Sequence, residues 1–322
     1  MSDTTTIEWA TASWSPWEGC TKISEGCAHC YAETRNHRFG MDNWGKGKPR
    51  RRTSAAYWKR PLHWNLQTGL LLEAGDFVPG TEHQSRPRIF PSLCDWLDDD
   101  VPIDWLADFL KLIHDTPNLD WLLLTKRPEN FESRLLDAWN HITDNEHDPS
   151  LYDWLCGWLN LDCRGYRVPA NVWPGASVEN QRCADERIPQ LLRIPAKLRF
   201  LSVEPMLEEV DLVRSSAIWS DMNGKIRPNY QQPGRHVDWV IVGGESGPGA
   251  RPCDVDWVRG IVRQCQDAGV PCFVKQLGSR AFEDVNADPQ TGEGMLKLKH
   301  PKGGDPAEWP ADLRTVRQFP TL

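Results

Sequence analysis

Three cysteines in GCTKISEGCAHCY, residues 19–31, have the types and spacing that most directly imply chemistry. Cys20, Cys27 and Cys30 stand as C-x6-C-x2-C. Two thiols three residues apart can serve one metal centre from a single turn. Gly19 and Gly26 give the loop the freedom to bring in the third. Three thiolates leave one iron of a four-iron, four-sulfur (4Fe-4S) cluster without a protein ligand, and that iron can take a small molecule directly. The other reading is a structural zinc site with a fourth ligand from His29, Cys94 or elsewhere. Zinc sites usually show two ligand pairs, and no second pair stands nearby, so the cluster is the favoured reading.

The residues that end each apolar run come next, because parallel β/α proteins do their chemistry at the C-terminal ends of strands. Gly243, Gly244, Glu245 and Ser246 follow WVIV. The glycines would let a ligand approach the backbone, or serve a tight turn, and Glu245 can accept from an ammonium group. Asp95, Lys126, Arg127, Glu179, Asn180, Ser202, Glu204 and Lys275 occupy equivalent positions. Glu204, Lys126 and Cys94 are the candidate catalytic groups, and Ser202 and Glu179 count with cofactor binding. Lys126 and Arg127 suit a carboxylate or phosphate, Arg in bidentate fashion. The plainer expectation is a ring of salt bridges joining them to Glu179, Glu204 and Glu245. For Cys94 it is a buried, inert thiol. Cys156 and Cys163 repeat the C-x6-C spacing; packing is the default there and a second metal site the alternative.

A basic segment follows the cysteine loop. Residues 35–60 hold Arg35, Arg38, Lys46, Lys48, Arg50, Arg51, Arg52, Lys59 and Arg60 against Asp42 alone, with Trp44, Tyr57, Trp58 and Trp64 among them. Cations interleaved with aromatics suit phosphates and unstacked bases. Arg50, Arg51, Arg52, Trp44 and Trp58 are therefore candidate nucleic-acid or nucleotide contacts. The competing reading is a solvated loop that balances an acidic protein.

These residues need a scaffold. Apolar runs at 88–95, 120–128, 172–180, 198–205, 238–247 and 271–278 read as strands buried on both faces. A first strand is predicted near residues 12–18. Asp254 reads as the cap of a helix bearing Val258, Ile261, Val262 and Cys265, with Gly269 as its stop. Trp105, Phe109, Leu112 and Ile113 mark another helix after Pro102, and Ile188, Leu191 and Leu192 a third before Pro195. The alternation predicts an α/β fold, an incomplete parallel β/α barrel of about six to seven strands in one domain over residues 1–322. An open doubly wound sheet is the alternative. Residues 33–87 read as a basic loop insertion, 140–170 as a helical excursion, and 280–322 as a wrap over the barrel surface.

Composition narrows the class. No apolar run reaches membrane-spanning length and the N-terminus has no signal-peptide pattern, so an intracellular, cytoplasmic protein with no membrane partner is expected. Ten cysteines in that setting are thiols or ligands rather than a disulfide framework. A net charge of −8 excludes wholesale DNA coating while permitting a local basic patch. The seventeen tryptophans are expected mostly in the core.

GCTKISEGCAHCYAE, SLCDW, LLLTKRPEN, SVEP, DWVIVGGESGPGARP, VKQLG and the WPADLRTVRQFP tail together resemble the phage-associated three-cysteine-motif proteins, a family of uncharacterised function. That family's cysteine motif is in turn similar to that of radical S-adenosylmethionine enzymes, whose fold is a partial β/α barrel. Their usual spacing is C-x3-C-x2-C, and the first gap here is longer. The resemblance implies a 4Fe-4S cluster on Cys20, Cys27 and Cys30, with S-adenosyl-L-methionine chelated to the open iron. One-electron reduction by an external donor would then yield a 5′-deoxyadenosyl radical. It also implies that His29, just before the last cysteine, lies near the adenine, and that the Gly243–Gly244–Glu245 motif contacts the methionine amino group. The substrate would be a nucleic acid or nucleotide, with a partner protein also to be considered. A zinc-stabilised nucleic-acid-binding protein and an iron–sulfur redox relay are the alternatives.

Overall fold

A computed structural model describes residues 5–81, 85–145, 148–227, 234–283 and 291–321. The chain divides into two compact units. The first comprises residues 1–23, 30–174 and 194–197; the second comprises 24–29, 175–193 and 198–322.

In the first unit the chain forms β1 (Ala12–Ser13) and β2 (Trp17–Glu18), then α1 (Tyr31–Arg38) and β3 (Arg51–Arg52). α2 (Ala55–Ala74), β4 (Arg88–Phe90), α3 (Ile103–His114), β5 (Asp120–Thr125), α4 (Phe131–Asn145) and α5 (Pro149–Leu159) follow. β1 pairs with β4, and β4 with β5, all parallel, while β2 and β3 form a separate antiparallel pair. The expected first strand is thus two short strands with different partners. The core is aromatic: Trp14 stacks on Tyr57 with ring centroids 5.7 Å apart and meets Trp58 and Trp121 edge-on. This is where several of the tryptophans go.

The second unit carries the end of β6 (Val172–Ser177), then α6 (Gln181–Arg193), β7 (Phe200–Val203), β8 (Trp239–Gly243), β9 (Cys253–Asp254), α7 (Val255–Ala268), β10 (Cys272–Gln276) and β11 (Ala281–Phe282). β6, β7, β8 and β10 pair in that order, all parallel. β7 and β8 are buried at every residue, as two-sided burial requires. α7 begins at the expected Asp254, whose carboxylate accepts from the Asp256 N–H, and ends at Gly269 with φ 64°. The C-terminal segment runs beside β10: Val274 N donates to Val316 O at 2.8 Å, and Gln318 N to Cys272 O at 2.9 Å. It pairs backbone groups that an edge strand would otherwise leave open. Part of the expected wrap, residues 284–290, lies outside the described residues.

The fold is therefore mixed α/β with parallel strands in strand–helix alternation, in agreement with the β/α-barrel expectation. The main correction concerns residues 33–87. That stretch contains the twenty-residue α2, with Pro61 in its interior. A proline there deprives the carbonyl four residues earlier of its N–H partner. That carbonyl is Tyr57 O, and the Trp14 indole Nε1–H donates to it at 3.0 Å. The break that Pro61 announces in the sequence is repaired by a side chain from another part of the unit. Among the described residues, no helix is long and apolar enough to cross a membrane.

Candidate functional site

In the first unit, β2 leads directly into Gly19 and Cys20. Gly19 N donates to Leu93 O at 3.3 Å, which sets Cys20 beside Cys94 and Asp95. Gly19 has φ 119°, and a Cβ there would fall 2.4 Å from Asn43 O, so both conformation and space demand glycine. Arg127, just past β5, organises this corner. Its guanidinium donates to Thr21 O at 2.6 Å, to Asp95 Oδ2 at 3.1 Å and to Cys20 Sγ at 3.6 Å. Asp95 also accepts from Thr125 Oγ1 at 2.6 Å and from the Lys126 N–H at 2.9 Å. Burial and the Asp95 carboxylate push the Cys20 thiol up to about 12, against the pull of Arg127. Burial and Asp95 raise the Cys94 thiol well above the ordinary range, in keeping with an inert thiol. Cys30 stands at the N-cap position of α1, and its carbonyl accepts from the Thr34 N–H and hydroxyl.

In the second unit, residues 24–29 are tied down by carboxylates at strand ends. Glu179, beyond β6, is wholly buried and accepts from Ser24 Oγ at 2.5 Å and Arg187 Nη1 at 2.7 Å. A Cβ on Gly26 would fall 2.1 Å from Glu179 Cγ, so this glycine permits the close approach. Glu204, beyond β7, accepts from Ser202 Oγ at 3.2 Å and pairs with Lys275 at 3.0 Å. Glu245, beyond β8, accepts from the Arg251 side chain and backbone and meets His29 Nδ1 at 3.0 Å. Burial would raise the Glu245 carboxyl, but the Arg251 and His29 hydrogen bonds outweigh it and hold it down at about 2. Arg251 also donates to Glu25 O at 2.9 Å, which fastens the turn ending at Cys27.

Several predicted roles change. Glu179, Glu204 and Glu245 do sit at successive strand ends, but their cations are Arg187, Lys275 and Arg251; Arg127 serves Asp95 and Cys20. Glu245 already holds Arg251 and His29 where an ammonium ligand was expected. The space beside Gly243 and Gly244 belongs to β10 and the residue after it: added Cβ atoms would fall 2.9 Å from Gln276 O and 2.2 Å from Leu277 O. Ser246 is half-buried beyond them. Cys156 is buried in α5, while Cys163 is exposed after it. Arg187, Arg251 and Ser24 were not singled out from the sequence, although Ser24 lies within GCTKISEGCAHCY and Arg251 within DWVIVGGESGPGARP.

The basic segment is corrected most. Arg50 is fully buried and pairs with Asp98 at 2.7 Å and Asp100 at 3.0 Å, so it is structural and not a phosphate ligand. Arg51 pairs with Glu18 at 2.6 Å, and Arg52 pairs with Asp108 and lies over the Trp58 ring. Trp44 is half-buried and bridges Cys20 through the backbone.

Among the described residues, no three His, Cys, Asp or Glu side chains are gathered as a metal site. What fits a cluster is the donor chemistry. Cys20, Cys27 and Cys30 are thiols, each part-exposed, whereas Cys156, Cys183, Cys253, Cys265 and Cys272 are buried. Cys30 stands at the N-cap position of α1.

Parallel strands alternating with helices, with charged side chains at the strand ends and a cysteine loop after the first strands, define an α/β protein of the parallel β/α type. Residues 4–302 match the model of a protein family of unknown function, DUF5131, and the chain belongs to that family. No curated protein matches the chain, and no solved structure does.

Proposed function

We propose that this chain is an iron–sulfur enzyme of the radical S-adenosylmethionine type, acting on a nucleic acid or nucleotide. The observation that carries the reading is the C-x6-C-x2-C loop itself: three part-exposed thiols in a protein whose other cysteines, Cys94 and Cys163 apart, are buried. Cys20, Cys27 and Cys30 would hold a 4Fe-4S cluster. The bound cluster would supply one-electron reduction of S-adenosyl-L-methionine, with an external electron donor. The similarity to three-cysteine-motif proteins supports the same reading.

The chain's own residues would then act by positioning. Arg127 holds Cys20 and Thr21 O, and its charge offsets part of what burial and Asp95 cost the thiolate that a ligand must be. Ser24 on Glu179 and Arg251 on Glu25 O fix the turn that carries Cys27. His29, held by Glu245, orients its ring beside the loop.

The test is anaerobic purification with iron, sulfide and zinc analysis, followed by addition of dithionite and S-adenosylmethionine. A brown protein containing iron and sulfide that releases 5′-deoxyadenosine is the expected result. A colourless protein carrying one zinc would replace the reading with a structural metal site. A brown protein that leaves S-adenosylmethionine intact would make it a redox relay.

A further inference from the structure

Beside β2 and β3 the first unit holds a cavity of about 450 Å³, lined by Arg35, Arg51, Arg52, Glu18, Ser54 and Tyr57 among others. That volume suits a small-molecule ligand. Three guanidinium groups line it with one carboxylate, Glu18, while Asp108 takes Arg52 from outside the lining, in a chain whose overall charge is −8. Glu18 is buried and draws Arg51 Nη2 at 2.6 Å and Arg35 Nη1 at 3.2 Å, which holds both guanidinium groups in place. Each Arg has five N–H donors, and Glu18 takes one from each. Arg52 is steadied by Asp108 and by the Trp58 ring, 4.5 Å from its guanidinium carbon. The cavity also receives the N-terminus of the twenty-residue α2, where Ser54 is the cap, so the helix dipole adds to the positive field.

We infer that this cavity is a phosphate-ester site that takes the phosphate of a nucleotide, free or within a strand. An excess of planar, pre-oriented cations over carboxylates in a concave site is what a phosphate dianion or diester needs. Glu18 acts as the positioning residue: it fixes the guanidinium groups and weakens the field they present. The cavity is close in sequence to the cysteine loop, since Glu18 lies two residues before Cys20 and Leu93 one before Cys94. Binding needs nothing of that loop. Only the ligand's status as substrate rests on the function proposed above.

The test uses the full-length chain purified without metal, so failure here and failure of the cluster reading are separate results. Fluorescence polarisation with a labelled single-stranded oligonucleotide, competed by a mononucleotide and by inorganic phosphate, reads the affinity. Saturable, salt-sensitive binding is expected. Arg51→Ala, at a half-exposed side chain, should weaken it about tenfold or more and lower the salt slope by about one. Glu18→Gln should tighten binding about threefold or more, because it removes the competing carboxylate. A merely structural ion pair would not give opposite signs for these two variants. Competition by the mononucleotide assigns a free nucleotide, and failure to compete assigns a strand. If no probe binds, or if Arg51→Ala leaves the affinity unchanged, the inference is overturned, whether or not Glu18→Gln folds.

Discussion

Replacing Arg50 by alanine tests how the basic segment is used. The Arg50 side chain is 0% exposed and Asp98 is 1% exposed. Beyond its two carboxylates, the guanidinium donates to Gly45 O, Lys48 O and Thr21 Oγ1. Truncation would leave Asp98 buried without its closest cation, and breaking a buried pair this way costs about 3–5 kcal/mol. An exposed pair would cost about 1 kcal/mol or less. Burial already raises the Asp98 carboxyl despite Arg50 and Arg127, and loss of Arg50 raises it further. A raised carboxyl keeps its proton longer in the folded state than in the unfolded one, so folding stability falls as pH rises through that window. The deficit of Arg50→Ala should therefore be larger at pH 8 than at pH 5, and Asp98→Asn in the same chain should recover part of it. Urea unfolding at both pH values measures this, with a midpoint shift of about 1–2 M. A loss below about 1 kcal/mol, or one independent of pH, would refute the structural role and return Arg50 to the candidate phosphate ligands.

Cys30→Ala should abolish iron and sulfide uptake on reconstitution while leaving the circular dichroism spectrum unchanged, and full metal content would remove it from the ligand set. Gly26→Ala forces a Cβ into Glu179, so it should lower iron uptake as strongly as a ligand substitution, read by iron content of the purified protein. Glu245 is held at about 2, below its unfolded value, so its stabilisation is present above about pH 4.3 and is lost as pH falls toward 2. Glu245→Gln should cost about 1–3 kcal/mol at pH 7 and progressively less in acid, by denaturant titration. Asp120 is pushed up to about 7 by burial, against Arg86 and Arg88, so wild-type stability should fall as pH rises from about 4 through 7. Asp120→Asn should remove that decline, and thermal unfolding at pH 5 and pH 8 would show the two curves diverging.

Much of the scaffold was legible because burial writes itself into sequence. Strands buried on both faces are continuous apolar runs, and all six such runs contain a strand. The helix after Asp254 was readable from cap to stop because its signals are local. α2 was not, because Pro61 is a local signal whose cost is offset by Trp14, 43 residues from the carbonyl it satisfies. The strand-end glutamates were found by position. Lys275, the partner of Glu204, was found the same way, but Arg187 and Arg251 were not, since Arg187 lies on a helix and Arg251 in a loop, and no spacing rule links a carboxylate to a cation on another element.

The same limit explains why the basic segment misleads in sequence and informs in structure. Nine cations against one acid over residues 35–60 read as a free electropositive strip. Folding brings Glu18, Asp98, Asp100 and Asp108 to it from outside the segment, and each takes a guanidinium. Charge count along the chain therefore says little about charge available to a ligand. What decides is where the acids fall short. At Arg50 two carboxylates enclose a single guanidinium, and the group is spent on the fold. At Glu18 one carboxylate is shared by Arg35 and Arg51, with Arg52 and a helix N-terminus opening onto the same cavity, and a surplus of donors remains. Neighbouring residues of one type thus take opposite roles, Arg50 within the fold and Arg51 toward solvent, and the pairing of acids separates them where sequence position does not.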